Sequence, residues 1–228
     1  MTTDLTEQQE NALEDVYFVS GLGADERVFK LLDAKGYNPV HIQWIEPERG
    51  EPIGDYAQRL AKQMVADDAE DPTVIGLSFG GLIAVEMARH IPDAKVVLLS
   101  SAKTADEVPF YFRWFRWFPI HRIFPFKTLL WMGYWVAYWL FSAETVEERK
   151  LLRAILVDTE PNFLKWALHR VVVWDNQTVP EQITHVHGGC DRIFPRRFVK
   201  PDILLEDGGH LMVLNRAAQV SRILDRLI

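Results

Sequence analysis

The chain first turns apolar at residues 16–20, a short run that ends in Gly21-Leu22-Gly23. Asp25 follows, and Val28, Phe29, Leu31 and Leu32 then recur at helical spacing, so the pattern predicts a strand, a tight turn and a helix. Residues 40–45 predict a second strand, and Tyr56, Leu60, Met64 and Val65 trace the stripe of an amphipathic helix. A third unit repeats the plan: an apolar strand at 73–77, a glycine-rich turn at 78–81, and a helix at 82–89 that Pro92 helps to end. After a fourth strand at 95–99 the alternation stops until about residue 175. It resumes with strands at 183–187 and 202–205, and Val220, Ile223, Leu224 and Leu227 form the stripe of a last helix.

Strands alternating with helices predict an α/β fold, a mostly parallel sheet with helices on both faces. At 228 residues the chain fits one domain, 1–228, with 102–175 as an insertion. Parallel strands in open sheets place ligands at their carboxyl ends, so the chemistry is expected in the turns that follow them. Three such turns carry reactive residues. Gly76-Leu77-Ser78-Phe79-Gly80 is a G-x-S-x-G element; five residues alone are weak evidence, but a strand precedes it and a helix follows, where small flanking residues let a serine project over the sheet. Asp191 lies in the segment His187-Gly188-Gly189-Cys190-Asp191-Arg192-Ile193-Phe194-Pro195, and His210 closes Asp207-Gly208-Gly209-His210 before the last helix.

From the third strand onward these motifs resemble the α/β-hydrolase superfamily, in its capped, serine-dependent, esterase- and lipase-like form, over nearly the whole chain outside the insertion. The resemblance implies a catalytic triad in the chain order Ser78, Asp191, His210. Asp202 and Asp207 compete with Asp191 for the acid. An imidazole is needed because a serine hydroxyl is a poor nucleophile until a base takes its proton, and the acid fixes the tautomer. The resemblance also implies an oxyanion hole from the Phe79 amide and, in the first glycine turn, the Leu22 amide. One departure stands out: the usual His-Gly at the start of that turn is Ser20-Gly21 here. Carboxylate-nucleophile relatives such as dehalogenases and epoxide hydrolases are disfavoured, since the elbow holds Ser78.

Fifteen of the 27 aromatic residues fall between 110 and 141, among them Trp114, Trp117, Trp131, Trp135 and Trp139. In the family an insertion at this point forms a helical cap, so these tryptophans are expected to line the pocket and select a small, largely apolar or aromatic ester or thioester. The uncharged run 128–143 is too short to span a bilayer as a helix, although basic residues among the aromatics of 110–127 suit peripheral contact.

A net charge of −7 disfavours nucleic-acid partners. Cys190 is the only cysteine and the first fifteen residues are polar and acidic, which predicts a cytoplasmic protein. His185 and His187 alternate on a strand but lack acidic or cysteine companions at metal-binding spacing, so neither metal nor cofactor is implied. The sequence leaves the oligomeric state open. Two rivals keep the same residues: a carbon–carbon hydrolase or lyase, and a catalytically silent ligand-binding receptor.

Overall fold

A computed structural model describes residues 13–64, 71–91, 93–112 and 126–228, with the backbone alone at 126–132. Its centre is a six-stranded sheet of β1 (Asp15–Val19), β2 (Asn38–His41), β3 (Thr73–Leu77), β4 (Lys95–Leu99), β5 (Ile183–Gly188) and β6 (Ile203–Leu205). The spatial order is β2-β1-β3-β4-β5-β6, and every pair is parallel. Period-two alternation sends Tyr17 and Val19 of β1 to one face and Val16 and Phe18 to the other, all four buried.

The first face is covered by α1 (Ile53–Ala61), α2 (Phe79–Ala88) and α5 (Pro161–Val173). The second is covered by α4 (Val146–Asp158), α6 (Met212–Asn215) and α7 (Ala217–Leu227). Every residue of α2 is buried, as expected of a helix that follows the central strand. Between β4 and β5 the chain also forms α3 (Phe126–Leu140), whose backbone leaves helical geometry at Gly133. Buried indoles tie α5 and its end to the rest: Trp166 Nε1 donates to the Glu51 carbonyl at 2.9 Å, and Trp174 Nε1 to Glu86 Oε1 at 2.7 Å.

Two expected elements differ from those observed. The helix foreseen after Asp25 is one 3₁₀ turn, Glu26–Phe29. Asp25 caps that turn and grips Arg27, which also reaches Asp158, while Leu31 is exposed and contributes nothing to a buried stripe. The second strand is Asn38–His41, earlier in the chain than 40–45. Pro39 within it is tolerated because β2 is the sheet edge.

Candidate active site

Ser78 stands at the carboxyl end of the central strand β3, between that strand and α2, with φ 53° and ψ −118°. A left-handed conformation at a non-glycine residue needs outside support. It comes from both sides: the Ser78 amide donates to the Leu99 carbonyl at 2.9 Å, and Ser101 Oγ donates to the Ser78 carbonyl at 2.7 Å. The flanking glycines are required by space. A Cβ on Gly76 would sit 2.5 Å from the Gly80 carbonyl oxygen, and one on Gly80 would fall onto the Val19 and Ser20 carbonyls of β1 and its turn.

A second glycine contact brings the other two residues together. The loops after β5 and β6 touch backbone to backbone, since a Cβ on Gly188 would overlap the Gly208 carbonyl, and the Cys190 amide donates to that carbonyl at 2.8 Å. Asp191 and His210 therefore meet. His210 Nδ1 donates to Asp191 Oδ2 at 2.8 Å, which leaves Nε2 to accept from the Ser78 hydroxyl at 2.9 Å. The other carboxylate oxygen, Oδ1, accepts the amides of Ile193 at 2.8 Å and Phe194 at 2.9 Å. Both the Asp191 and His210 side chains are buried. Phe141 meets the imidazole edge-on at 5.4 Å between centroids, and Phe194 stacks on it at 6.2 Å, so the ring plane is clamped.

The rival acids lie elsewhere: Asp202 pairs with Lys103 and accepts the His185 amide, and Asp207 pairs with Arg216 at the surface.

Behind the acid loop lies a histidine pair. His187 Nε2 donates to the Phe194 carbonyl at 2.8 Å, so its Nδ1 accepts from His185 Nε2 at 3.1 Å. Burial pushes His185 down to about 3, helped by the neighbouring His187, and burial lowers His187 as well. Both rings are thus neutral, and the pair is a structural brace for the 191–194 turn.

The first glycine turn borders Ser78. Ser20 Oγ donates to the Ala24 carbonyl at 2.7 Å and accepts from Trp44 Nε1 at 2.9 Å, so Ser20 braces the turn across its base. Thr159 Oγ1, at the end of α4, lies 2.7 Å from the Ile155 carbonyl and 3.0 Å from the Gly23 carbonyl, and can donate its one proton to either. Leu22 and Phe79 both line the cavity beside Ser78, and neither amide has an acceptor among the described residues.

Ser78 and His210 open into a cavity of about 660 Å³ with an almost wholly apolar lining, contributed by α3, α4 and α5 as well as the sheet side. The expectation for the tryptophans needs correction. Gly133, Val136, Ala137 and Leu140 of α3 line the cavity, whereas Trp135 and Trp139 do not and are 73% and 56% exposed. Helical spacing places positions 133, 136, 137 and 140 together and turns 135 and 139 outward. Trp114 and Trp117 lie outside the described residues, as does the side chain of Trp131. Ser101, Thr159, Phe141 and Phe194, to which the sequence pattern assigns no role, are recognisable only by position.

Residues 16–223 match the model of a family described as the alpha/beta hydrolase family. No curated protein matches the chain in sequence. Among solved structures, an esterase from Exiguobacterium antarcticum is similar with a TM-score of 0.73 and 17% identity, over 94% of this chain and 91% of that one. A hydrolase from Oleispira antarctica gives 0.72 and 13%, over 93% and 90%. A lipase-esterase related protein from Clostridium acetobutylicum gives 0.66 and 17%, over 96% of both chains. At such identities the likeness to these structures is one of fold alone.

Proposed function

The chain belongs to the α/β-hydrolase family, and from that premise we propose that it is a serine hydrolase cleaving carboxylic esters with an apolar acyl group. One observation carries the reading: the line Asp191, His210, Ser78, joined at 2.8 and 2.9 Å, ends in an apolar cavity.

In the proposed reaction His210 Nε2 takes the hydroxyl proton as Ser78 Oγ attacks the ester carbonyl, and Asp191 stabilises the imidazolium that forms. The amides of Leu22 and Phe79 receive the oxyanion. The tetrahedral intermediate collapses when His210 passes its proton to the departing alcohol, leaving an acyl-Ser78. Water, deprotonated by the same nitrogen, then releases the acid and restores the serine. On this reading helices α3, α4 and α5 form a cap over Ser78. Their aliphatic side chains favour an uncharged acyl group, because a charge buried among them without a partner would be costly.

The test is labelling with a fluorophosphonate probe, followed by turnover of an ester, thioester and amide panel, with Ser78→Ala as control. Labelling that requires Ser78, with preference for esters, is expected. An unlabelled serine in folded protein would return the chain to the silent-receptor class.

A further inference from the structure

The helix that lines the cavity on one side is apolar on the other as well. No charged residue occurs in α3 from 128 to 140, whereas an ordinary surface helix would present charge to water. Trp135 and Trp139 stand exposed there. Cations reach this helix from its neighbours. The Arg192 guanidinium lies 4.8 Å over the Trp139 ring and donates to the Trp139 carbonyl at 2.6 Å. Arg153 lies 5.0 Å over Tyr134, and Arg149 5.8 Å over Tyr138. Among the described residues none of these three arginines has a carboxylate partner. The segregation is also visible in sequence: residues 110–143 hold four cations and no acid, in a chain of net charge −7.

We propose that this outer face of α3, with Arg149, Arg153 and Arg192, docks on an anionic lipid bilayer, and that the ester substrate enters the cavity from that surface. The second clause rests on the hydrolase reading; the first does not. Indole and phenol rings favour the headgroup region, where an apolar body and a polar tip are both satisfied. Guanidinium groups already stacked on rings pair well with phosphate oxygens. The route into the cavity fits as well. Of the described residues lining it, Val136 and Arg192 are the two exposed ones, which puts the lining nearest solvent beside Trp135 and Trp139. An acyl chain leaving the bilayer there would pass between two apolar media with little exposure to water. Self-association through this face fits less well, because a two-fold contact sets the same patch on itself and brings like-charged arginines together. Among the described residues no helix is long and apolar enough to cross a membrane, so contact through this face is peripheral.

The test is co-sedimentation with vesicles of phosphatidylcholine alone and of phosphatidylcholine mixed with phosphatidylglycerol, at low and high salt. The protein is expected on the mixed vesicles at low salt and to leave them as salt rises. Replacing both Trp135 and Trp139 by Ser should lower partitioning about tenfold or more, while turnover of a short water-soluble ester continues. Changing Arg149, Arg153 and Arg192 together to Gln should lower binding to the mixed vesicles by at least about tenfold and flatten its salt dependence. Retained thermal transitions establish that these surface variants fold. Failure of the native protein to bind mixed vesicles, binding indifferent to both sets of changes, or a dimer in sedimentation velocity that the tryptophan changes dissolve would each overturn docking. Vesicle binding by a protein that hydrolyses no ester would leave docking standing and sink the hydrolase reading instead.

Discussion

Asp191 has its two oxygens committed in opposite directions, one to the His210 Nδ1 proton and one to two backbone amides. Asparagine has one acceptor oxygen, and the amides of Ile193 and Phe194 would claim it. The NH₂ would then face Nδ1 and hold its proton on Nε2, where the base is needed. Asp191→Asn should therefore lower kcat by about 10³ to 10⁴ with the fold retained, measured beside circular dichroism. Asp202→Asn and Asp207→Asn, whose partners are Lys103 and Arg216, should change kcat little. A fall with Asp202→Asn as large as that with Asp191→Asn would move the acid. Ser78→Ala should cost about 10⁴ or more, and Ser78→Ala combined with His210→Ala no more than either alone, because the pair acts as a unit. That Ser78, Asp191 and His210 would meet was legible in the sequence because such chemistry admits few residue types and the strand ends fix where they stand. Phe141, Phe194 and Ser101 were not: many apolar or small residues satisfy a pattern, and what makes these three useful is a contact made across more than fifteen residues of chain in each case.

Among the elements, β1, β3 and β4 were readable because buried parallel strands are near-continuous apolar runs. The edge strand β2 was misplaced because its four residues are all partly or fully exposed and include a proline, so no run marks it. The orientation of α3 was illegible for the opposite reason. It is apolar all round, so no stripe tells the cavity side from the outer side, and the abundance of tryptophan drew Trp135 and Trp139 into the expected lining. If the proposed function holds, acyl selection falls to the side chains seen to line the cavity. Leu168 of α5 lines the cavity and is only partly buried, so a larger ring there should fill acyl space without disrupting the core. Leu168→Trp is expected to lower the octanoyl-to-acetyl ratio of kcat/KM for soluble esters by about tenfold, or ~1.4 kcal/mol of differential transition-state binding. Trp135→Ala should leave that ratio within about twofold, since its ring does not line the cavity. A shift with Trp135→Ala and none with Leu168→Trp would reverse the assignment of the two sides.

For the molecule as a whole, the histidine pair couples the site to acid stability. His185 and His187 are buried and neutral, and both bind protons more weakly folded than unfolded, where the ordinary value near 6.5 applies. The unfolded chain therefore takes up more protons as pH falls below about 6.5, and by linkage stability declines with it; for His185 the decline continues down to about pH 3. Above pH 7 both groups are neutral in either state and contribute no slope. From pH 7 to 5, His185 alone accounts for a loss of about 2 kcal/mol, a pKa unit being ~1.36 kcal/mol. His187 adds to this in the same direction. His185→Gln removes that proton uptake while retaining a donor that can reach His187 Nδ1, so the variant should lose less stability than the native protein over the same interval, even if its stability at pH 7 is lower. Urea titrations at half-unit steps would show it. Parallel curves for the two proteins would mean that His185 is not held neutral in the fold. The same measurement separates stability from chemistry, because His187 braces the Phe194 carbonyl whose amide holds Asp191. If acid loosens that brace before the sheet unfolds, the acid limb of activity against a soluble ester should move to lower pH in His185→Gln, whereas loss of the base by protonation of His210 alone would leave that limb where it is in the native protein.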